Sequence, residues 1–177
     1  MVAATLLPGG KLLVSGGEGG AGALTSAEMF NPATNTWSTS ASLVFSRLDH
    51  TATLLPDGRV LAVGGYDGTT YRNSAEIYQN LTAGAWSNPG NMSSARSNLT
   101  ATLLPDGRVL AAGGRSDAST CLATADLFDP STNTWSSAAS MNGERASHTA
   151  TLLADGRVLV AGGLDSDGVY LSSAEIY

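Results

Sequence analysis

Short runs of apolar and small residues alternate with turn residues along the whole sequence, and no segment of useful length shows the 3.6-residue period of a helix. One run, residues 51–55, is followed by a Pro-Asp-Gly turn at 56–58 and by a second run at 59–63. Two runs of strand-forming residues across a short Asp-Gly loop predict a β-hairpin. A third run at 74–78 and a fourth around Trp86 complete a unit of four short strands, named a to d here.

The same unit recurs along the chain, and four kinds of residue mark its period. A double glycine ends strand b of each unit, in steps of 48, 49 and 49 residues: Gly16-Gly17, Gly64-Gly65, Gly113-Gly114 and Gly162-Gly163. A tryptophan marks strand d at Trp37, Trp86 and Trp135, and an arginine precedes the next unit at Arg47, Arg96 and Arg145. An acidic residue marks strand c at Glu28, Glu76, Asp126 and Glu175. Four strands per repeat of this length predict the blade of a β-propeller.

These units resemble kelch repeats, which belong to the superfamily of galactose oxidase-like central domains. In the second unit the resemblance is carried by Gly64-Gly65, Glu76-Ile77-Tyr78, Trp86 and Arg96. It covers essentially the whole chain and implies an all-β kelch β-propeller of four-stranded antiparallel blades, with about 3.75 blades in this sequence. We assign kelch repeats to residues 1–48, 49–97 and 98–146, and a partial repeat to 147–177.

The amino-acid sequence of the first hairpin in the later units resembles that of bacterial, secreted kelch proteins. This resemblance implies a protein of the bacterial cell surface or exterior. The first residues show no charged region followed by an apolar stretch, so the sequence itself contains no visible signal peptide.

The recurrent residues are predicted to be structural, because chemistry occurs once in a ring whereas scaffolding occurs in every blade. The double glycines stand where the backbone turns sharply and lies close to a neighbour. We expect each tryptophan to anchor the outer strand and to reach the double glycine of its own blade. We expect each recurrent arginine to pair with a nearby acid such as Glu28 or Glu76.

The loops between strands b and c and the connections from strand d to the next strand a lie on one side, because successive strands run in opposite directions. We call this side the loop face. Its b–c loops vary between units, at 18–25, 66–73, 115–123 and 164–172, and so do its d–a connections, at 42–49, 91–98 and 142–147. Variable loops on a rigid scaffold are typical places for binding sites.

Polar and aromatic residues of the b–c loops are therefore the candidate ligand contacts. They are Tyr66, Asp67, Tyr71, Arg72, Arg115, Asp117, Asp165, Asp167 and Tyr170. We predict a non-catalytic binding module for a protein or carbohydrate ligand.

The predicted strands number fifteen, which is three blades and three quarters of a fourth. The kelch resemblance implies rings of six or seven blades. An apolar blade face of roughly 300 Å² that stays wet forfeits roughly 8 kcal/mol. We therefore expect a homo-oligomer, with a dimer that forms an eight-blade ring favoured over a strained four-blade ring or a fragment of a longer protein. A self-assembling structural module is accordingly the alternative function.

The charge of the chain excludes nucleic acid as the expected partner. The formal net charge is -6, and Lys11 is the single lysine, so phosphates are repelled on average. No apolar run approaches the length that spans a membrane. One cysteine, Cys121, excludes an internal disulfide and a cysteine-based zinc cage.

Two histidines are candidate metal ligands. His50 and His148 occupy the same place in the second and fourth units, where the other units have Val2 and Leu99. Histidine is the commonest metal ligand. Because the position recurs at the start of strand a, we interpret both as packing residues.

A copper-radical oxidase is a remote alternative that the superfamily resemblance suggests. Such enzymes need a thioether-linked Cys–Tyr pair, a second tyrosine and two histidines at one metal. Cys121 aligns with Tyr71 and Tyr170 in equivalent loops, but the three residues lie in different blades.

Residues 165–168 begin like a calcium loop, yet position twelve is Ile176 where glutamate is needed. We predict no catalytic residue, no metal site and no cofactor.

Overall fold

The computed structural model describes residues 1–79 and 84–177, and none of these residues forms a helix that could cross a membrane. The first repeat forms β1 (Ala3–Leu6), β2 (Leu12–Ser15), β3 (Glu18–Gly19), β4 (Gly22–Ala23), β5 (Ala27–Asn31) and β6 (Thr36–Ser40). The second forms β7 (Thr51–Leu54), β8 (Val60–Val63), β9 (Ala75–Gln79) and β10 (Ala85–Ser87). The third forms β11 (Thr100–Leu103), β12 (Val109–Ala112), β13 (Ala125–Asp129) and β14 (Thr134–Ala138). The fourth forms β15 (Thr149–Leu152), β16 (Val158–Ala161) and β17 (Ala174–Ile176).

Each repeat is one antiparallel blade, as the sequence predicts. The strand orders are β1-β2-β5-β6, β7-β8-β9-β10, β11-β12-β13-β14 and β15-β16-β17. The first strands of successive blades, β1, β7, β11 and β15, contact one another, so they form the inner side from which the blades fan out. The first b–c loop differs from the expectation of a plain loop, because β3 and β4 form a small hairpin within it.

The first hairpin of each blade is set by its turn. In the second blade the Gly58 amide donates to the carbonyl oxygen of Leu55 (3.0 Å), and the Leu55 amide donates to the carbonyl oxygen of Arg59 (2.8 Å). Gly58 has φ 86°, in the left-handed region that glycine enters without a steric cost. Asp57 Oδ1 accepts the Arg59 amide at 3.0 Å, which fixes the turn from the side. Leu54 consequently pairs with Val60.

The double glycine gives room for the segment that enters the next blade. Gly64 has φ +68°, and a Cβ built there would lie 2.2 Å from the carbonyl oxygen of Arg96. The amide of Gly65 donates to that same oxygen at 2.7 Å. A side chain at Gly64 would therefore displace the entry of the third blade.

Three apolar clusters, one at each junction between blades, form the core. Alternation along the strands divides the side chains: Leu61 and Ile77 face the third blade, whereas Val60 and Tyr78 face the first. The clusters comprise Leu7, Leu13, Ala27, Val60 and Tyr78; then Leu55, Leu61, Val63, Ala75, Ile77, Met92, Leu99, Val109, Ala111 and Phe128; then Leu110, Ala112, Ala125, Leu127, Met141, Val158 and Val160. The second and third blades are therefore covered on both flat sides by their neighbours, and the first and fourth on one side.

The recurrent arginines form buried ion pairs. Each lies in the connection that opens a blade and pairs with the acid in strand c of that blade. The pairs are Arg47–Glu76 at 3.1 Å, Arg96–Asp126 at 2.8 Å and Arg145–Glu175 at 2.9 Å. Burial lowers the pKa of Arg47, and its contact with Glu76 acts in the opposite direction. Glu28 is exposed and has no ion pair among the described residues.

The tryptophans do not reach the double glycines, and this expectation was wrong. Trp86 lies directly opposite Tyr78 on the neighbouring strand, with ring centroids 5.2 Å apart. The other two pack in the same way on Phe30 and Phe128, at 5.0 and 5.1 Å. Adjacent strands bring opposite residues within side-chain contact, and that partner is closer than the strand end. Trp86 also donates from Nε1 to the carbonyl oxygen of Ala41 in the preceding blade (2.8 Å).

Candidate functional site

The b–c loops of the last three blades begin in the same way. Directly after the double glycine, Tyr66 forms isolated β-bridges with Leu48 and with Tyr71. The third and fourth blades repeat this arrangement: Arg115 bridges Ser97 and Cys121, and Leu164 bridges Ala146 and Tyr170. The backbone of each loop is thus held close to the entry of its blade, and the residues that follow differ.

In the second blade the loop collects four of the predicted residues. The rings of Tyr66 and Tyr71 pack with centroids 4.6 Å apart. Asp67 accepts hydrogen bonds from the amides of Thr69 and Thr70 at 2.8 and 2.7 Å. These bonds lower the pKa of Asp67 to about 2, so this carboxylate is charged throughout the physiological range.

Arg72 joins this loop to the preceding d–a connection. Its guanidinium forms an ion pair with Asp67 and lies over the ring of Phe45, 4.5 Å from the centroid. Burial raises the pKa of Tyr71, and the neighbouring Tyr66 adds to that effect. The second blade therefore presents two tyrosine rings packed at an angle of 40°, an ion pair and an arginine–aromatic contact in one cluster.

The third b–c loop is ordered by its own hydrogen bonds. Arg115 Nη1 donates to the carbonyl oxygen of Ala118 at 2.9 Å. Asp117 accepts the amides of Ser119 and Thr120, both at 2.8 Å, and these bonds lower the pKa of Asp117. The side chains of Arg115 and Asp117 consequently have fixed directions beside the cluster of the second blade.

The fourth b–c loop is the most open of the three. Asp165 Oδ1 accepts the amides of Asp167 at 3.1 Å and Val169 at 2.8 Å. Tyr170 is 85% exposed and has no ring partner among the described residues. The structure therefore separates Asp165, Asp167 and Tyr170 from the four residues that meet in the second blade.

Metal-binding geometry is not found in the described part of the chain. There, no group of three or more His, Cys, Asp and Glu side chains is arranged to hold an ion. His50 and His148 are buried at the blade junctions, 8% and 7% exposed. Cys121 is buried as well. Its backbone amide donates to Ser166 Oγ at 2.8 Å, and burial raises the pKa of its thiol.

The opposite face holds a groove of about 410 Å³ formed by the a–b and c–d turns. It is lined by Pro56, Asp57, Asp106, Gly107, Arg108, Asp129, Pro130 and Ser131. The charged residues of the a–b turns repeat from blade to blade and form ion pairs within each turn: Arg59 pairs with Asp57, Arg108 with Asp106, and Arg157 with Asp155. We therefore attribute this groove to the scaffold.

Comparison with known proteins agrees with this architecture. The family model of the kelch motif matches residues 3–43 and 98–142. Among solved structures, one described as the structure of YjhT superposes with a TM-score of 0.83. This chain has the fold of a kelch β-propeller.

The likeness of this kelch propeller to YjhT concerns the fold alone, because the two sequences are 13% identical. The match covers 99% of this chain and 68% of that one. No curated protein sequence matches the chain. Any binding chemistry of the kelch propeller therefore has to be inferred from the residues of its own loop face.

Sequence reasoning missed Phe45 and the asparagines that accompany Arg72 in a small cavity of this kelch propeller. The cavity is lined by Phe45, Thr70, Tyr71, Arg72, Asn73, Ser74, Asn88 and Asn91. The d–a connections were recognised as variable, but no residue in them was selected. A signal was present, because Phe45 aligns with Ser94 and Gly143 in the other repeats. An aromatic residue where the repeat needs none points to a local role.

Proposed function

We propose that this kelch propeller is a non-catalytic binding module whose loop face holds a protein or carbohydrate ligand. The observation that carries the proposal is the cluster of Tyr66, Asp67, Tyr71 and Arg72 in the second blade. The equivalent loops of the other blades lack this set, so the scaffold does not require it.

The chemistry of the cluster suits recognition of a ligand surface. Tyrosine and arginine are enriched among the residues that dominate binding energy, because they combine apolar area with directed hydrogen bonds. Arg72 and Asp67 restrain each other before a ligand arrives, which lowers the entropic cost of binding. Arg115 and Asp117 extend the same face into the third blade.

We expect the double variant Tyr71→Ala/Arg115→Ala to bind at least tenfold more weakly to any ligand of this face. The affinity falls because an aromatic surface and a cation are lost together, at about 1.4 kcal/mol for each factor of ten. Glycan arrays and displayed peptide libraries, screened with the wild-type protein, supply the ligands whose affinities are then measured.

Arg157→Ala is the matched control, because Arg157 is exposed on the opposite face. Its ligand affinity and its molecular mass should equal those of the wild type. A ligand that ignores the loop-face variant and is lost from Arg157→Ala would place binding on the wrong side and refute the proposal.

Self-association is a second candidate function, and the uncovered sides of the end blades favour it. Leu6 and Trp37 of the first blade are 62% and 55% exposed. Ile176 of the fourth blade is 45% exposed, and Leu159, which lies directly opposite it on the neighbouring strand, is partly exposed on the same side. The equivalent positions in the middle blades pack against a neighbouring blade, so these sides carry the residues of an inter-blade contact without its partner.

We expect light scattering to give a mass of about 36 kDa for a dimer, twice the 18.0 kDa of the chain. The variant Leu159→Ser/Ile176→Ser should return the mass to that of a monomer, because it makes one of the two apolar sides polar. Tyr71→Ala/Arg115→Ala should leave the mass unchanged. A wild-type mass of 18.0 kDa at all concentrations would eliminate this candidate.

A further inference from the structure

A cavity of about 240 Å³ lies on the loop face of the second blade, and we call it the asparagine pocket. Phe45 comes from the connection that enters this blade, and Asn88 and Asn91 follow its last strand. Tyr71, Arg72 and Asn73 come from the end of its b–c loop, with Thr70 and Ser74 beside them. Three separate segments of one blade therefore converge on this pocket.

The repeat fold does not require the lining of this pocket. In the third blade, Ser94 stands at the position of Phe45, Leu122 at that of Arg72 and Ala123 at that of Asn73. The counterparts of Asn88 and Asn91 are Ser137 and Ser140. The third blade has the same strand order and its own buried arginine pair without an aromatic residue or an amide at these places. The asparagine pocket is thus a local addition to the scaffold.

The pocket is electrically balanced. Its one cation, Arg72, is already paired with Asp67 and covers one side of the Phe45 ring. The low pKa of Asp67, about 2, keeps this pair charged. A free carboxylate, phosphate or ammonium group would find no unpaired counter-charge in the lining. A neutral ligand meets no such penalty.

The asparagine amides supply both donors and acceptors. The side chains of Asn73 and Asn91 are exposed and make no hydrogen bond to the described residues. Asn88 Oδ1 accepts the amide of Gly90 at 2.7 Å, which leaves its amino group as a donor. Each carboxamide pairs a donor with an acceptor, as a hydroxyl group does. Neighbouring hydroxyls on one ring suit such amides.

The aromatic lining completes the match to a sugar. Phe45 is 37% exposed, and Tyr71 provides a second ring at the same pocket. A pyranose has an apolar face of C–H groups and an edge of hydroxyls. Aromatic rings can contact the face, and amides can form hydrogen bonds with the edge. The volume is slightly below the roughly 300 Å³ at which sites for drug-sized ligands begin, which suits one sugar ring.

We propose that the asparagine pocket binds a single neutral pyranose ring, either free or as the end of a glycan. This inference rests on the proposed binding function of the loop face and names the ligand class of one site within it. Asn73 and Asn91 bond the hydroxyls, and Phe45 and Tyr71 contact the C–H face.

The test is a titration of the intact chain with methyl glycosides of glucose, galactose, mannose and N-acetylglucosamine, followed by NMR. We expect at least one of them to bind saturably, with a Kd on the order of 1 mM for so small a ligand. The variant Phe45→Ser/Asn73→Ala/Asn91→Ser should weaken that binding at least tenfold. It carries the residues that the third blade already has, so it should fold as the wild type does.

Two controls sharpen the result. Ser94→Ala/Ser140→Ala changes the third-blade counterparts and should leave the sugar affinity unaltered. Mannitol has the hydroxyls without the ring, and glucuronate has the ring with a charge, so both should bind more weakly than the best neutral glycoside.

The outcomes separate this inference from the proposed function. If none of the glycosides binds, or if the pocket variant binds as well as the wild type, the sugar inference is overturned. The proposed function still stands in that case if a screened ligand is lost from Tyr71→Ala/Arg115→Ala. Tighter binding of glucuronate than of every neutral glycoside would also overturn the inference, because it requires an unpaired cation.

Discussion

Replacing Arg96 by methionine is expected to lower the free energy of unfolding by about 3–5 kcal/mol, as for other buried pairs that lose one partner. Arg96 is 0% exposed and bonds Asp126 through both Nε and Nη2, at 3.2 and 2.8 Å. Its Nη1 donates to the carbonyl oxygens of Gly113 and Thr124, at 3.0 and 2.7 Å. One side chain therefore ties the end of strand b to strand c of the same blade.

The loss is large because the partners stay buried when the arginine is gone. Asp126 keeps only the bonds from Ser93, at 3.3 Å from the amide and 3.0 Å from the hydroxyl. These bonds do not replace a positive charge. The carbonyl oxygen of Gly113 loses the donor that Arg96 supplies, and that of Thr124 is left with the amide of Gly113 at 3.1 Å. Removing one partner of a buried pair costs more stability than replacing both partners by apolar residues.

Urea denaturation of matched variants measures this effect. Arg108→Met removes an ion pair of similar length, Arg108–Asp106 at 2.7 Å, in which both side chains are nearly half exposed. It should cost far less stability than Arg96→Met, because solvent screens an exposed ion pair. Arg96→Met/Asp126→Leu should recover part of the lost stability, because it removes the unpaired charge. Equal effects of Arg96→Met and Arg108→Met would contradict the structural role assigned to the buried pair.

Acidification from pH 6.5 to pH 4 is expected to destabilise the chain by up to about 3 kcal/mol for each of its two histidines. Burial lowers the pKa of His50 and His148 from 6.5 to about 4, and the neighbouring Arg47 and Arg145 act in the same direction. The Nδ1 atoms of both rings are buried without a hydrogen-bond partner in the described residues.

The sign follows from proton binding. Above pH 6.5 both rings are neutral in the folded and the unfolded chain, and the histidines add no pH dependence. Below pH 6.5 the unfolded chain takes up protons that the folded chain refuses until about pH 4. Stability is therefore fully present above pH 6.5 and falls through this window.

The third repeat supplies the matched substitution, because Leu99 stands where the second and fourth repeats have histidine. Denaturation curves of His50→Leu/His148→Leu should show little change in stability between pH 6.5 and 4. His50→Leu alone should remove about half of the wild-type dependence. If the double variant loses as much stability over this range as the wild type, the buried histidines are not its source.

The fold could be predicted from the sequence because the same markers recur in every blade. A marker such as the double glycine has one physical purpose in every blade, so its four occurrences reinforce one another. The tryptophan was assigned correctly to the outer strand but to the wrong neighbour. The sequence shows that Trp86 lies on strand d, whereas strand register decides that Tyr78 is opposite.

Only part of the candidate site could be predicted from the sequence. Tyr66, Asp67, Tyr71 and Arg72 were selected because they share one variable loop, and the structure brings them together. Phe45 was not selected, although it departs from its counterparts in the other repeats. Its contact with Arg72 joins the d–a connection to the b–c loop. The spacing of the two residues along the sequence does not predict that these loops meet.

The amino-acid pattern alone predicts the number of blades, the strands in each and the face that carries the variable loops, because these depend on local periodicity repeated at a constant interval. It does not predict that Arg47 pairs with Glu76 while Glu28 stays exposed, or that asparagines of two segments meet at one pocket. Such contacts depend on the path of each connection over the neighbouring blade. Irregular backbone paths are set by packing in three dimensions, which a linear period does not contain.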